Sequence, residues 1–145
     1  MVTKERNIEV LSTFYVSEFH LEMIILPYII KEIENNNEII ILTEKKLEKS
    51  VRYLISKLNI NEEKKEKLLK LKWNNKNINK DSIIDSNINK TFFIIGSKKY
   101  IEQKNIEINS NKIKIVNCYD LEEVQGEISE IERNSDKILT IKGEE

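Results

Sequence analysis

The sequence predicts a three-layer α/β fold: a mostly parallel sheet of about five strands with helices on both faces, RecA- or Rossmann-like. Three observations carry this. Short, continuous apolar runs such as "EIIILT" (38–43) and "TFFIIG" (91–96) have the pattern of strands covered on both faces. Stretches with apolar residues at helical spacing lie between them. The alternation runs the length of the chain without an internal repeat, so residues 1–145 read as one α/β domain.

Taken in order, "IEVLSTFYV" (8–16) is rich in β-branched and aromatic residues and reads as a buried strand. Ser17 suits a helix N-cap, with Glu18 in the first turn. The helix is expected over 18–35 and is apolar around most of its surface, so it is either deeply packed or covered by a partner. Pro27 falls inside it, costs about 3 kcal/mol and should kink or split it. After "NNN" comes the strand 38–43. An amphipathic helix follows at 44–58, with Leu47, Val51, Leu54, Ile55 and Leu58 on one face. A second helix at 61–73 places acids first and lysines later, as the helix dipole favours. Its alternating charges read as a solvated face. Residues 74–90 are the least ordered stretch by composition. Then come a strand at 91–96, a short helix or turn in "SKKYIEQKN", a strand at 112–120, a helix at 121–134 and a last strand at 137–143. Gly126 inside that last helix is tolerable at about 1 kcal/mol.

Composition narrows the function classes. The 145 residues carry 24 basic and 25 acidic side chains, a net charge of −1, which gives no basic excess for a nucleic-acid partner. Apolar content of 39% with 34% charged residues marks a globular chain with a heavily solvated surface. Alanine is absent while Ile, Asn and Lys abound, a bias better ascribed to a genome poor in G and C than to function. One cysteine and one histidine argue against a disulfide framework and a Cys/His zinc site. No cofactor is expected. The N-terminus has no signal-peptide hydrophobic region, and "MIILPYII" is far shorter than the ~20 residues that cross a bilayer. A cytoplasmic protein without a membrane partner is the expectation.

In open parallel sheets ligands bind outside the carboxyl ends of the strands. That rule selects Tyr15, Ser17 and Glu18 after the first strand, and Thr43 and Glu44 after the second. Gly96 and Ser97 follow the third, while Cys118, Tyr119 and Asp120 end the fourth. Phe19 and His20, in the first turn of the long helix, complete the candidate ligand-binding set. The plainer role of Ser17 and Asp120 is as helix caps, and that role is the better supported by residue type. For His20 a structural or surface role, and for Cys118 a buried inert thiol, are the commoner outcomes. No second catalytic group can be placed beside His20. A P-loop needs G-x-x-x-x-G-K-[ST], and residues 12–21, "STFYVSEFHL", offer neither the glycines nor the lysine. G-x-G-x-x-G is absent too. "KIKIVNCYD", ending in Asp120, is similar to a Walker B strand, a weak signal because apolar strands often end in Asp.

The stretch "IEVLSTFYVSEFHLEMIILPYIIKEIENNNEIIILTEKK" resembles the opening of the MEDS domain, the methanogen/methylotroph DcmR sensory domain. It is similar to that family's first strand, "fY-s-e" turn, long helix ending in "P-[FY]-I…G-L", and second strand after an "N-N-E" loop. "VNCYDLEEV" resembles the family's "C-x-Y-D" strand end, shortened here to the adjacent Cys118, Tyr119 and Asp120. Three positions depart from the pattern. Asn7 stands where the family has His, Glu32-Ile33 where it has Gly-Leu, and Ser135-Asp136 where it has His-Pro.

The resemblance implies a RecA/KaiC-type core with a degenerate P-loop and a sensory, signal-transducing role. Such domains bind small, hydrocarbon-like molecules and are attached to DNA-binding, kinase or anti-sigma outputs. None of these is legible in the 145 residues. Signalling would then go through a protein partner or a homo-oligomer. The expectation is a non-catalytic sensor for a small organic ligand near Tyr15, Phe19, His20, Tyr119 and Asp120. The alternative is a protein-interaction module with a degenerate ligand site. A hydrolase using His20 with Glu18 or Asp120 comes third.

Overall fold

The computed structural model describes residues 8–77, 89–108 and 113–145. Asn7 and most of the stretch expected to be least ordered (78–88) lie outside the described residues. Among the described residues six strands form one sheet in the order β2-β3-β4-β1-β5-β6. They are β1 (Ile8–Tyr15), β2 (Glu38–Thr43), β3 (Lys90–Ile95), β4 (Ile113–Asp120), β5 (Lys137–Thr140) and β6 (Gly143–Glu144). All pairings are parallel except β5 with β6. Helices α1 (Glu18–Glu34), α2 (Glu48–Lys57), α3 (Glu62–Lys70), α4 (Lys98–Glu107) and α5 (Ile128–Arg133) connect them.

The predicted three-layer α/β class therefore holds, and side-chain alternation explains the layers. Leu11, Tyr15, Phe93, Ile95, Val116 and Cys118 face α1, α2 and α3 in one core. Their neighbours Phe92, Ile94, Ile115 and Tyr119 face α4 and α5 in a second. Successive strand residues point to opposite faces, so every central strand feeds both cores. The apolar surface of α1 is packed inside the chain: Leu21, Ile24, Ile25, Leu26 and Ile29 are all buried. Of the two fates open to so apolar a helix, deep packing is the one realised.

Four elements differ from the sequence reading. Helix α1 is not split at Pro27, because the proline lies on its exposed side, where water can serve the carbonyl that the missing N–H leaves free. The stretch 44–47 is a turn, held by the Thr43 hydroxyl, which accepts from Lys45 N–H at 2.9 Å. The helix expected over 121–134 shrinks to turns, a 3₁₀ segment (Gln125–Glu127) and six residues of α5. There Asp120 captures the next amides: its side chain accepts from Glu122 N–H and its carbonyl from Glu123 and Val124. Gly126 adds no helix propensity to resist this. The expected last strand (137–143) is a hairpin. Gly143 turns the chain with φ +105, and Ile138 and Glu145 exchange backbone hydrogen bonds at 3.0 and 2.7 Å.

Candidate functional site

At the carboxyl ends of the strands, Ser17, His20, Glu44 and Asp120 have local structural tasks. Ser17 caps α1: its hydroxyl accepts from His20 N–H at 3.1 Å. His20 returns the favour to the turn, its Nδ1 accepting from Val16 N–H at 3.0 Å. Glu44 accepts from Ser97 N–H at 2.8 Å. Gly96 makes room for that contact, since a Cβ there would sit 2.5 Å from Glu44 Oε1. Asp120 caps the turn after β4, as described. Glu18 and Phe19 are exposed, Phe19 with 62% of its surface free.

Tyr15 and Cys118 are buried side by side under α1. Burial pushes the Tyr15 hydroxyl well above its ordinary range, and Cys118, Asp120, Glu123 and Glu18 add to the effect. Burial alone raises the Cys118 thiol, so no thiolate is on offer. Among the described residues the buried Tyr15 and Thr13 hydroxyls find no hydrogen-bond partner. Lys45 Nζ lies 5.0 Å from the centre of the Tyr15 ring. Tyr15, Cys118 and Asp120 are thus neighbours at the ends of β1 and β4, where Tyr15 pairs with Asp120 in register.

Tyr119 and His20 do not join them. Tyr119 lies on the opposite face of the sheet, stacked on Phe14 with ring centres 5.8 Å apart. His20 opens on a shallow depression of about 390 Å³ between Phe14 and the β5–β6 hairpin.

The largest of the described depressions lies elsewhere. A groove of about 530 Å³ runs over the second face between α4 and α5. Its floor is Val10 and Ser12 of β1 with Asn117 and Tyr119 of β4; Asn105 and Ile106 wall one side, Ile131 and Ser135 the other. The groove exists because α5 is only six residues long and cannot roof both strands. Its polar groups are amides and hydroxyls together with the charged side chains of Lys98, Glu102 and Glu130. Asn105 Nδ2 donates to Asn117 Oδ1 at 2.8 Å, while the return bond from Asn117 Nδ2 is long, at 3.5 Å. The Ser12 and Ser135 hydroxyls are 2.5 Å apart, and Ser135 donates onward to the Ile131 carbonyl. The Tyr119 hydroxyl is pushed up to about 12 by burial, then by Glu102 and Cys118, so it stays a neutral donor at physiological pH.

Sequence reasoning missed Ser12, Asn105, Asn117 and Ser135. A signal was present for two of them: Ser12 and Asn117 interrupt otherwise apolar strands, and they pair in register across β1 and β4. Comparison with protein-family models, with curated proteins and with solved structures finds no match for this chain. Among the described residues, no helix is long and apolar enough to cross a membrane.

Two positions where the chain departs from the MEDS pattern have structural work. Asp136 accepts from Val10 N–H at 2.7 Å and ties β5 to β1, beside Ser135 in the groove. Glu32 sits at the other end of the sheet in a buried polar network. It accepts from the Thr91 hydroxyl at 2.7 Å and pairs with Lys114 at 3.1 Å. Lys114 also donates to the Tyr28 hydroxyl, which donates to Glu144 at 2.5 Å.

Proposed function

We propose that this protein is a non-catalytic regulatory domain that binds a small organic molecule in the groove between α4 and α5 and signals through contact with another protein. The groove is the observation that carries the reading. Its volume suits a small ligand, and its lining of amides and hydroxyls, with Lys98, Glu102 and Glu130 beside them, suits a polar one that forms hydrogen bonds. The first strand–helix turn, which holds phosphates in a RecA-type core, has its polar groups tied to its own backbone. A triphosphate is therefore not the proposed guest. The absence of catalysis is inferred from the same commitments, since His20, Ser17, Glu44 and Asp120 each hold a turn. The resemblance to MEDS domains points to the same class of role, and the cytoplasm is its proposed setting.

A thermal-shift screen over nucleotides and small organics tests this on the wild type and on Asn134→Trp, which fills the groove from an exposed position. A compound present at a hundred times its Kd adds about 2.7 kcal/mol to stability. The expected result is a small polar compound that raises Tm in the wild type and not in the variant. No stabilising compound, or equal stabilisation of both proteins, overturns the proposal.

A second reading rests on the rim itself. Val16, Phe19 and Ile141 expose 68, 62 and 58% of their surfaces there. Exposed apolar side chains of this size mark contact surfaces. Under this reading the domain works as a protein-interaction module. Phe19→Asp then abolishes a partner pull-down or self-association seen by solution mass; a strict monomer with no partner sinks it.

A further inference from the structure

We infer that the outer edge of β2 is a docking site for an extended, acidic segment of another protein, which adds as a strand beside Glu38–Ile41. Among the described residues β2 is the last strand on its side of the sheet. Backbone polarity along it can be read from its neighbours. Glu38 and Glu44 donate their N–H groups inward, to the Asn89 and Ile95 carbonyls, at 2.9 and 3.0 Å. Thr43 donates outward instead, to the Asn75 carbonyl at 2.7 Å. Alternation along a strand then points the N–H and C=O groups of Ile39 and Ile41 outward as well. Among the described residues nothing takes them. The chain itself demonstrates how this edge is used: at its carboxyl end an irregular segment already supplies the Asn75 carbonyl.

The surroundings define the occupant. A depression of about 500 Å³ runs along the edge. Ile33 and Leu71 give it an apolar base that can receive a side chain. Lys67, Lys70 and Lys72 rim it, against the single carboxylate Glu38, which pairs with Lys90 at 3.5 Å. Lys67 also meets Glu63, at 3.6 Å on an exposed surface. The excess is positive in a chain whose net charge is −1. Strand addition draws affinity from main-chain hydrogen bonds and specificity from such pockets and charges. A second copy of this edge is a poor occupant, because it would set lysines against lysines. Lysines beside an edge are a known guard against self-pairing, and they leave an acidic strand acceptable.

A fluorescent eight-residue peptide of alternating Thr and Glu, with its Thr/Lys counterpart as control, tests the inference. The Thr/Glu peptide is expected to bind saturably, more weakly as salt rises, and to protect the Ile39 and Ile41 amides from hydrogen exchange. Reversing the rim with Lys67→Glu, Lys70→Glu and Lys72→Glu is expected to cost about tenfold in affinity, from three exposed pairs at roughly 0.5 kcal/mol each. Ile39→Pro removes an outward donor without touching the ladder to β3, and is expected to abolish binding. If that variant fails to fold, the charge reversal, all on exposed side chains, carries the test. Equal binding of the Thr/Lys peptide overturns the inference. So does protection of both amides in the free monomer, or protection that appears only on self-association.

Discussion

The two ends of the sheet treat buried polar groups in opposite ways. At the amino end, long-range pairs satisfy them: Glu32 on α1 meets Thr91 of β3 and Lys114 of β4, and Tyr28 links Lys114 to Glu144 of β6. Lys137 joins from β5, 3.3 Å from Glu9 and 3.0 Å from Glu144. The network stitches five strands and a helix together. At the carboxyl end most of the bonds are local caps, with Glu44 to Ser97 N–H a longer-range one, and two buried hydroxyls, on Thr13 and Tyr15, have no partner among the described residues. Natural chains break the rule of satisfied polar groups mainly where function requires it. The contrast assigns fold specificity to the amino end and leaves the carboxyl end as the part free to change.

The largest expected effect comes from breaking the amino-end network. Glu32→Ala strips the buried partner from Lys114 and Thr91. Removing one member of a buried pair costs about 3–5 kcal/mol, and about 3 is expected here because Glu9 and Glu144 remain 3.7 and 3.8 Å from Lys114. Urea denaturation measures it. The matching change at the other end, Glu18→Ala, loses a helix-dipole contact of only about 0.5 kcal/mol. Equal losses at the two ends would erase the contrast.

Next in size, and opposite in sign, is Tyr15→Phe. A buried hydroxyl without a partner costs about 1–3 kcal/mol, so its removal is expected to raise stability by about 1 kcal/mol. A loss instead would show that this hydroxyl has a partner in solution, an ordered water or a ligand. The rim would then return as the binding site in place of the α4–α5 groove.

How legible this was in the sequence depends on the range of the interactions. Strands β1–β4 and helix α1 were readable because their signals are local: apolar runs, an N-cap at Ser17, β-branched residues. Even α1 required the structure to say where Pro27 pointed. The helix cap at Ser17 was readable for the same reason, whereas Asp120, expected as a helix cap, holds a turn instead. The segment after β4 was misjudged because Asp120 captures three amides, an outcome that helical spacing alone does not encode. The buried network was illegible. Glu32 looks like an ordinary solvated helix residue until the register of β3 and β4 brings Thr91 and Lys114 beneath it. The groove was illegible for a related reason: it arises from the shortness of α5, and its floor pairs Ser12 with Asn117 across 105 positions of sequence.

The smallest predicted effects are the most discriminating, because two carboxyl groups titrate in opposite directions. Burial would raise Glu144, but hydrogen bonds from Tyr28 and Lys137 and the charges of Lys114 and Lys137 outweigh it and hold the group below its ordinary value of 4.5. Its stabilising contribution is therefore complete above that value and is lost as pH falls through the folded-state pKa. Glu22, buried on α1, is raised by burial, partly offset by the Ser50 hydroxyl at 2.6 Å and reinforced by Glu18. Here the charged form is disfavoured in the fold, so the cost is present above the folded-state pKa and is relieved as pH falls toward 4.5. Glu144→Gln is expected to flatten the acid limb of the stability profile by roughly 1 kcal/mol. Glu22→Gln keeps a hydrogen-bond acceptor for Ser50 and is expected to add about 0.5 kcal/mol at neutral pH, vanishing in acid. Urea midpoints of both variants, followed from neutral pH to about pH 4, should deviate from the wild type in opposite directions at neutral pH, Glu144→Gln downward and Glu22→Gln upward, and both should approach it in acid. If both deviate on the same side, a common change in net charge explains them, and the two carboxyl environments are not distinct.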